Sequence, residues 1–116
     1  MVLLAEADFV VTTCELNPTS QHMMDTAAFT AMKPTAVLIN CARGPIVDER
    51  ALVKALQAGE IAGAGLDVFE DEPLPANSPL RAMDNVMIAP HNSNSSPTAW
   101  ERIHWSTLNQ LVEGLG

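Results

Sequence analysis

Three residues in this sequence, Arg43, Glu72 and His91, have side chains whose combination predicts acid–base chemistry on a carboxylic acid. A guanidinium group presents a planar fork of donors that suits a substrate carboxylate. A carboxylate next to an imidazole fixes its tautomer and stabilises its protonated form. His91 can then give a proton to a carbonyl being reduced or take one from a hydroxyl being oxidised. In this arrangement Arg43 also polarises the reacting oxygen.

Each of the three residues also has a structural interpretation. Arg43 is typical of a surface arginine beside a turn, Glu72 belongs to the acidic run 70–72 of a solvated turn, and a histidine at a strand end is more often structural than catalytic. The catalytic interpretation is favoured because all three follow predicted strands, and ligands bind along the rim formed by the carboxyl ends of parallel strands. Asp67 is placed on the same rim, where it accepts from an amide or caps a turn.

The elements that must position these residues alternate between strands and helices. Short apolar or β-branched runs predict strands. Asp25, Asp48 and Ser96 are suitable N-caps, while Pro34 and Gly59 end helices. This alternation predicts an α/β fold with a parallel sheet. Strands are predicted at 9–13, at 36–39, within 61–68 and at 85–89, and helices at 1–7, 26–32, 49–58 and from 97 onward.

Several features refine these predicted elements. Gly63 and Gly65 indicate close approach of a backbone or helix to the third strand. Loop 69–84 is long and proline-rich, which is typical of a functional or mobile loop. The last helix is expected to bury one side, because apolar residues recur at roughly helical spacing: Trp100, Ile103, Leu108, Leu111 and Val112.

The composition indicates one domain, or part of one, with enough apolar residues (47%) for a core. A net charge of −8 argues against a nucleic-acid surface, although one well-placed arginine can still hold an anionic substrate. No apolar run is long enough for a membrane span and no secretory leader is recognisable, so a cytoplasmic location is expected. Cys14 and Cys41 are expected to be reduced thiols that pack near a ligand, and no metal site is predicted. His22 and His104 lack strand-end placement and are expected to be structural or surface residues.

Several motifs resemble the signatures of the NAD-dependent D-2-hydroxyacid dehydrogenases, the family of D-3-phosphoglycerate dehydrogenase. The similarity runs from about Leu3 to at least Ser96. Glu72 distinguishes the chain from the related formate dehydrogenases, which resemble it but carry glutamine there. The motifs match in order and spacing: Asn40-Cys41-Ala42-Arg43-Gly44, Leu66-Asp67-Val68-Phe69 with Glu72-Pro73-Leu74, and Ala89-Pro90-His91.

The resemblance implies reversible hydride transfer between NAD(H) or NADP(H) and a small 2-oxo or 2-hydroxy acid. It implies that Arg43 binds the substrate carboxylate and that His91 is the acid/base partnered by Glu72. It also implies that Asp67 contacts the nicotinamide carboxamide. The cofactor contacts carried over by position are Cys14, Cys41, Ala42, Arg43, Asp67, His91, Asn92, Ser93 and Asn94.

The chain departs from the family pattern in two ways. The turn 92–94 reads Asn-Ser-Asn where the family usually has a glycine-containing turn. The family's Gly-x-Gly-x-x-Gly phosphate loop does not occur in these 116 residues, and its place is upstream of Met1. The resemblance is therefore to the second half of a dinucleotide-binding domain, an incomplete Rossmann-like sheet, with 97–116 as a helix leading back to a substrate domain.

The missing half has two expected consequences. The pyrophosphate normally lies on the helix N-terminus beside the glycine loop, so the 116 residues alone should bind NADH weakly if at all. The strand at 9–13 should lie on an edge and invite pairing, either in a homo-oligomer or with a complementing N-terminal half. Two other functions stay open: a binding or assembly module without turnover, as in corepressors that resemble these dehydrogenases, and a non-functional remnant.

Overall fold

The computed structural model describes residues 2–115 as a four-stranded parallel sheet with flanking helices, which confirms the predicted fold class. Met1 and Gly116, at the outer ends of the predicted first and last helices, lie outside the described residues. The strands, in the spatial order β1-β2-β3-β4, are β1 (Phe9–Thr12), β2 (Val37–Asn40), β3 (Gly63–Leu66) and β4 (Val86–Ile88). The helices are α1 (Val2–Glu6), α2 (Thr26–Ala31), α3 (Glu49–Ala58) and α4 (Pro97–Leu115), with short 3₁₀ helices at Gly44–Ile46 and Pro79–Ala82.

The strand register places the carboxyl ends of the four strands level with one another. Thr12 lies opposite Asn40, Asn40 opposite Leu66, and Leu66 opposite Ile88. The segments that follow these residues therefore share one edge of the sheet, which we call the carboxyl edge. This is the edge at which open parallel sheets bind ligands.

The core lies between one face of the sheet and helices α2 and α3. Leu38 of β2 is fully buried in it together with Phe29 of α2 and Leu52 of α3. Side chains alternate between the two faces of a strand, so Phe9 and Val11 of β1 point to the other face, where they are 66% and 53% exposed. Within the described chain β1 is an edge strand with an exposed apolar face.

The capping residues expected for α2 and α3 form the contacts that stabilise these helices. The carboxylate of Asp25 accepts from the amide of Ala28 at 2.9 Å, and that of Asp48 accepts from the amide of Ala51 at 3.0 Å. Gly59 ends α3 in the left-handed conformation, with φ 70°. The loop 41–48 precedes α3 and carries Arg43, and we call it the arginine loop. Because α3 is fixed at both ends, it holds this loop in a defined position.

The expectation that α4 buries one side is wrong for the described part of the chain. Ser96 caps the helix as predicted, since its hydroxyl accepts from the amide of Ala99 at 3.1 Å, but no residue of α4 is buried. An amphipathic pattern indicates which side of a helix can be buried, and it does not supply the surface that covers it. Neither α4 nor any other helix within residues 2–115 has the length and hydropathy needed to cross a membrane. The large apolar side chains of α4 that are about half exposed or more are Trp100, Ile103, Trp105, Leu108, Leu111, Val112 and Leu115.

The two glycines of β3, Gly63 and Gly65, differ in the space available for a side chain. A Cβ on Gly63 would crowd the carbonyl oxygen of Asn85, so this glycine does permit close approach of a backbone. A Cβ on Gly65 would meet only Ile39, at an ordinary contact distance of 3.8 Å. The close-approach prediction is therefore correct for Gly63 and wrong for Gly65, whose Cα faces the exposed side of the sheet.

The long loop after β3 is packed against the core. Leu74 and Leu80 are 6% and 1% exposed, and both belong to or adjoin the core cluster. Arg81 supports this loop, because its guanidinium donates to the carbonyl oxygens of Leu74 and of Pro75, the latter at 2.9 Å. The loop is therefore a fixed support for the residues that it carries.

Candidate active site

The imidazole of His91 lies against the carboxylate of Glu72, as expected from their placement on the carboxyl edge. Nδ1 of His91 is 2.7 Å from Oε2 of Glu72. The other carboxylate oxygen, Oε1, accepts from the backbone amide of Phe69 at 3.0 Å. Because the carboxylate engages Nδ1, Nε2 is the ring nitrogen that remains for exchange of a proton with a substrate.

These two contacts stabilise the ionised form of Glu72. The hydrogen bond with His91 and then that from the Phe69 amide hold the pKa of Glu72 below its ordinary value of 4.5, against the smaller raising effects of partial burial and of Asp67. Glu72 is therefore a carboxylate at neutral pH. This is the form that stabilises a protonated imidazole and fixes its orientation.

Asp67, the buried carboxylate directly after β3, holds the turn that follows His91. Its Oδ1 accepts from the backbone amide of Asn92 at 2.8 Å, and its Oδ2 accepts from that of Ser93 at 2.9 Å. Of the two roles expected for Asp67, the structure shows that it caps a turn, and its contact with a cofactor amide stays a prediction. His91 itself has a φ of 56°, which a residue with a side chain seldom adopts, so this turn depends on the support that Asp67 gives it. Asn94, the last residue of the expected turn, is exposed.

The hydrogen bonds from the turn keep Asp67 ionised although its side chain is buried. Burial raises the pKa of Asp67, but the amides of Ser93 and Asn92 outweigh it, and the pKa lies below the ordinary value of 3.8. His91 lowers it further by its charge. A fixed negative charge therefore lies beneath the turn, at 4% exposure.

Asn40, the last residue of β2, shapes the loop that carries Arg43. It is 1% exposed. Its Oδ1 accepts from the Thr12 hydroxyl at 2.8 Å and from the Ala42 amide at 3.1 Å, while its Nδ2 donates to the carbonyl oxygen of Arg43 at 3.1 Å. The motif 40–44 therefore begins with an asparagine because one buried side-chain amide makes hydrogen bonds with both the neighbouring strand and the backbone of the loop.

The arginine loop and the loop carrying Glu72 touch at Gly44. A Cβ on this residue would overlap the backbone carbonyl group of Phe69, so only glycine fits. Arg43 and Glu72 are consequently held on two loops that pack directly against each other.

The side chain of Arg43 does not reach the His91–Glu72 pair. Its Nη1 donates to the carbonyl oxygen of Ala42 at 2.7 Å, so the guanidinium turns back over its own loop. Glu72 and His91 therefore meet at the carboxyl edge as expected, while Arg43 lines a second cavity. That cavity, of about 540 Å³, is lined by Thr13, Cys14, Glu15, Leu16, Cys41, Ala42 and Arg43.

The His91–Glu72 pair lines a cavity of its own, with a volume of about 530 Å³. Arg81 also lines this cavity. The sequence analysis did not predict this residue, because its partners are backbone carbonyl oxygens, which leave no pattern in the sequence. The apolar part of the wall consists of Phe69, Pro73, Leu74, Ile88, Ala89 and Pro90.

Cys14 and Cys41 are free thiols, as expected, but both are exposed. The expectation that they are packing residues is wrong for the described chain, because both line the open cavity beyond the ends of β1 and β2. Ala42, between Cys41 and Arg43, is buried at 8% exposure. Among residues 2–115, no group of three or more His, Cys, Asp or Glu side chains is arranged to hold a metal ion.

Glu70, His22 and Glu49, near the site, make contacts that the sequence analysis did not predict. Glu70, which the solvated-turn interpretation included, contacts His22 and accepts from the backbone amide of Glu49. These partners are far apart in the sequence, and no local motif relates them. His104, in contrast, is exposed on α4 and stacks only loosely on Trp100, at 5.5 Å between ring centroids.

Comparison with known proteins gives one consistent family. A sequence model described as "D-isomer specific 2-hydroxyacid dehydrogenase, NAD binding domain" matches residues 1–93. Glyoxylate/hydroxypyruvate reductase B of Escherichia fergusonii is 55% identical over 113 residues, which cover 97% of this chain and 35% of that protein. The chain thus spans about a third of the length of the curated relatives it matches.

Solved structures of similar sequence have the same fold. A D-isomer specific 2-hydroxyacid dehydrogenase from Xanthobacter autotrophicus, in complex with NADPH and MES, is 50% identical with a TM-score of 0.74 over 76% of this chain and 28% of that one. One from Lactobacillus delbrueckii, in its NAD-complexed form, is 36% identical with a TM-score of 0.78 over 97% of this chain and 39% of that one. The similar structures therefore include proteins with NADPH and with NAD.

Proposed function

The chain belongs to the D-isomer specific 2-hydroxyacid dehydrogenase family of NAD(P)-dependent oxidoreductases, and on that premise we propose that it supplies the proton-transfer residues of a 2-oxo acid reductase. The observation that carries this proposal is the 2.7 Å contact between His91 and Glu72 at the carboxyl edge. Glyoxylate and hydroxypyruvate are the proposed substrates, because the relative that is 55% identical is named for them.

In the proposed reaction His91 protonates the carbonyl oxygen of the 2-oxo acid, and in the reverse direction it removes the proton of the hydroxyl group. Glu72 holds the ring through Nδ1 and stabilises its protonated form, so Nε2 is the atom that exchanges the proton. Arg43 binds the substrate carboxylate, and for this its guanidinium must turn from the Ala42 carbonyl oxygen toward the His91–Glu72 pair. A bound nicotinamide cofactor supplies or accepts the hydride at the carbonyl carbon.

The described residues fit the nicotinamide end of such a cofactor. The ends of β1 and β2 carry the small side chains of Cys14, Cys41 and Ala42, which line the cavity of about 540 Å³. The carboxylate of Asp67 is ionised, and each of its oxygens has acceptor capacity beyond the one amide that it binds. The carboxamide contact proposed for Asp67 therefore does not require loss of the turn 92–93.

We assign the chain to the second half of a dinucleotide-binding domain, with α4 as the helix that leads toward a substrate domain. The glycine-rich phosphate loop of the family does not occur among the 116 residues. A partner that carries this loop, in the same chain or a separate one, would pair with the exposed edge strand β1. Phe9 and Val11 on β1 and the exposed apolar side of α4 support assembly with a second polypeptide or a second copy.

Steady-state assays with glyoxylate and hydroxypyruvate test the proposed activity. The 116-residue chain would be assayed with NADH and NADPH, with and without an added N-terminal half that contains the glycine loop. We expect turnover only with the added half, and loss of turnover by roughly 10²-fold or more in His91→Gln, because general acid–base catalysis contributes about that much. His104→Gln, on the exposed face of α4, is the matched control and should keep the wild-type rate.

Arg43 is tested in the same complemented assay. Arg43→Ala should lower kcat/KM by orders of magnitude because the substrate carboxylate loses its guanidinium partner, whereas Arg50→Ala, on the exposed side of α3, should not. A near-normal rate in Arg43→Ala would remove this residue from the mechanism. Equal rates in wild type and His91→Gln would favour the assembly-module function.

A further inference from the structure

Two carboxylates outside the proposed reaction, those of Glu49 and Glu70, bind each other's backbone amides. Oε1 of Glu70 accepts from the amide of Glu49 at 3.1 Å, and Oε2 of Glu49 accepts from the amide of Glu70 at 2.6 Å. Glu49 is the first residue of α3. The pair therefore joins the beginning of this helix to the loop that carries Glu72.

His22 adds another segment to this link. Its Nε2 lies 3.0 Å from Oε1 of Glu70, and its backbone amide donates to the carbonyl oxygen of Pro45, in the arginine loop, at 2.8 Å. His22 adopts a positive φ of 51°, so its backbone leaves the preceding turn in a direction that few residues with a side chain take. Glu70 consequently connects α3, the arginine loop and the segment around His22.

The backbone at 69–70, which these contacts hold, also positions the carboxylate of Glu72. Phe69 donates its amide to Oε1 of Glu72 at 3.0 Å, and its carbonyl group packs on Gly44. The next amide along the chain, that of Glu70, is the one that Glu49 holds. Any shift of the backbone at 69–70 would therefore displace the carboxylate that contacts His91.

We propose that Glu49 and Glu70 are positioning residues that hold Glu72 against His91 through the backbone at 69–70. Neither side chain lines the cavity at His91. The geometry of the Glu72–His91 contact can be measured without turnover, and only an effect of these residues on rate rests on the proposed function. If Glu70 were merely part of a solvated acidic turn, its removal would leave Glu72 in place.

The charges around the pair determine which variants are informative. Partial burial raises the pKa of Glu49, the Glu70 amide opposes this, and the nearby carboxylates of Glu70 and Asp71 raise it again, so it lies above the ordinary value of 4.5. His22 is the imidazole that faces Glu70. Glutamine at either position removes the repulsion between carboxylates and keeps a side-chain oxygen as acceptor.

The test is a ¹³C NMR titration of the Glu72 carboxyl group in the 116-residue chain, with Glu72→Gln to assign its resonance. Glu49→Ala and Glu70→Ala should raise the pKa of Glu72 toward 4.5, because the hydrogen bonds to His91 and Phe69 are lost or weakened. Removal of a neighbouring negative charge by itself would lower this pKa, so a rise identifies lost positioning. Glu49→Gln and Glu70→Gln should leave the pKa at or below the wild-type value, and Glu60→Ala, at an exposed position, is the matched control.

A pKa of Glu72 that does not rise in either alanine variant, in chains with wild-type circular dichroism, would overturn the proposal. If an alanine variant does not fold, His22→Ala takes its place, because it removes only one contact of Glu70. A smaller rise is expected there, and an unchanged value would count against the proposal. Rate measurements on the same variants in the complemented assay test the proposed function separately from the positioning of Glu72. An inactive wild-type protein would refute the proposed function and leave the NMR result valid.

Discussion

The carboxylate of Glu72 meets the imidazole of His91 at 2.7 Å although 19 positions separate them in the sequence. Both residues lie beyond the carboxyl ends of neighbouring strands, β3 and β4, whose pairing brings them together. Two supports maintain the contact: the Phe69 amide holds the carboxylate, and Asp67 holds the turn after the imidazole.

The contact of Glu72 should contribute to the pH dependence of stability. Because the pKa of Glu72 is lower in the folded chain, its stabilising effect is fully present above 4.5 and is lost as the pH falls through the lower folded value. The group is about one-third exposed, so we expect a loss of only about 0.5 kcal/mol. Urea denaturation across this range should show a weaker pH dependence for Glu72→Gln than for the wild type, and parallel profiles would contradict the prediction.

Asp67 should contribute more than Glu72 to the pH dependence of stability, and in the same direction. Its stabilising effect is present above 3.8 and is lost as the pH falls through the lower folded pKa. Asp67→Asn loses the charge and one of the two acceptors for the turn, so the free energy of unfolding near neutral pH should fall by about 2 kcal/mol. Asp84→Asn, at an exposed position, is the control. Equal unfolding free energies for the two variants would show that Asp67 does not support the turn.

Replacement of Asn40 should destabilise the arginine loop. Asn40→Ala leaves the buried amide of Ala42 without its acceptor and leaves the Thr12 hydroxyl with only the longer contact to the carbonyl oxygen of Ile39, at 3.4 Å, so we expect a loss of about 3 kcal/mol. Asn85→Ala provides the comparison, because this exposed side chain makes one hydrogen bond, to the carbonyl of Ala62 at 3.2 Å, and should cost less than about 1 kcal/mol. Thermal denaturation of the two variants measures the difference. A similar cost at both positions would contradict the role assigned to the buried amide.

The 116-residue chain should self-associate through the edge strand β1. Val11 is 53% exposed on this strand, and Val11→Lys should shift the sedimentation profile toward the monomer because a charged edge resists pairing. Val2→Lys, at a residue that is 74% exposed on α1, should leave the profile unchanged. A wild-type chain that sediments as a monomer at high concentration would refute this prediction.

The cofactor affinity of the chain should be low. The cavity at Cys14, Cys41 and Ala42 is proposed to hold the nicotinamide end, whereas the glycine loop that binds pyrophosphate in this family does not occur in the sequence. Fluorescence titration with NADH should therefore show weak or no binding by the 116 residues alone. Low-micromolar affinity would overturn this expectation.

Local patterns in the sequence were sufficient for the elements and their caps. The β-branched and apolar runs predicted all four strands, and Asp25, Asp48 and Gly59 marked helix ends where the structure has them. These signals are local because strand propensity and capping depend on neighbouring residues. The spacing of apolar residues also predicted the helix α4, but the expected burial of one side does not occur within the described chain, because the pattern does not supply a surface that covers it.

The contacts that hold the residues at the carboxyl edge could not be predicted from the sequence. The order of the motifs was enough to place Glu72 beside His91, because parallel strands of equal register bring their carboxyl ends together. The two amides bound by Asp67 and the link between Glu49 and Glu70 depend on backbone groups of segments distant in the sequence. The guanidinium of Arg43 binds the carbonyl oxygen of its neighbour Ala42, a partner that the sequence does not single out. Every residue type except proline presents the same backbone amide and carbonyl. A sequence therefore shows which side chains can donate or accept, and only the folded chain determines which backbone groups they meet.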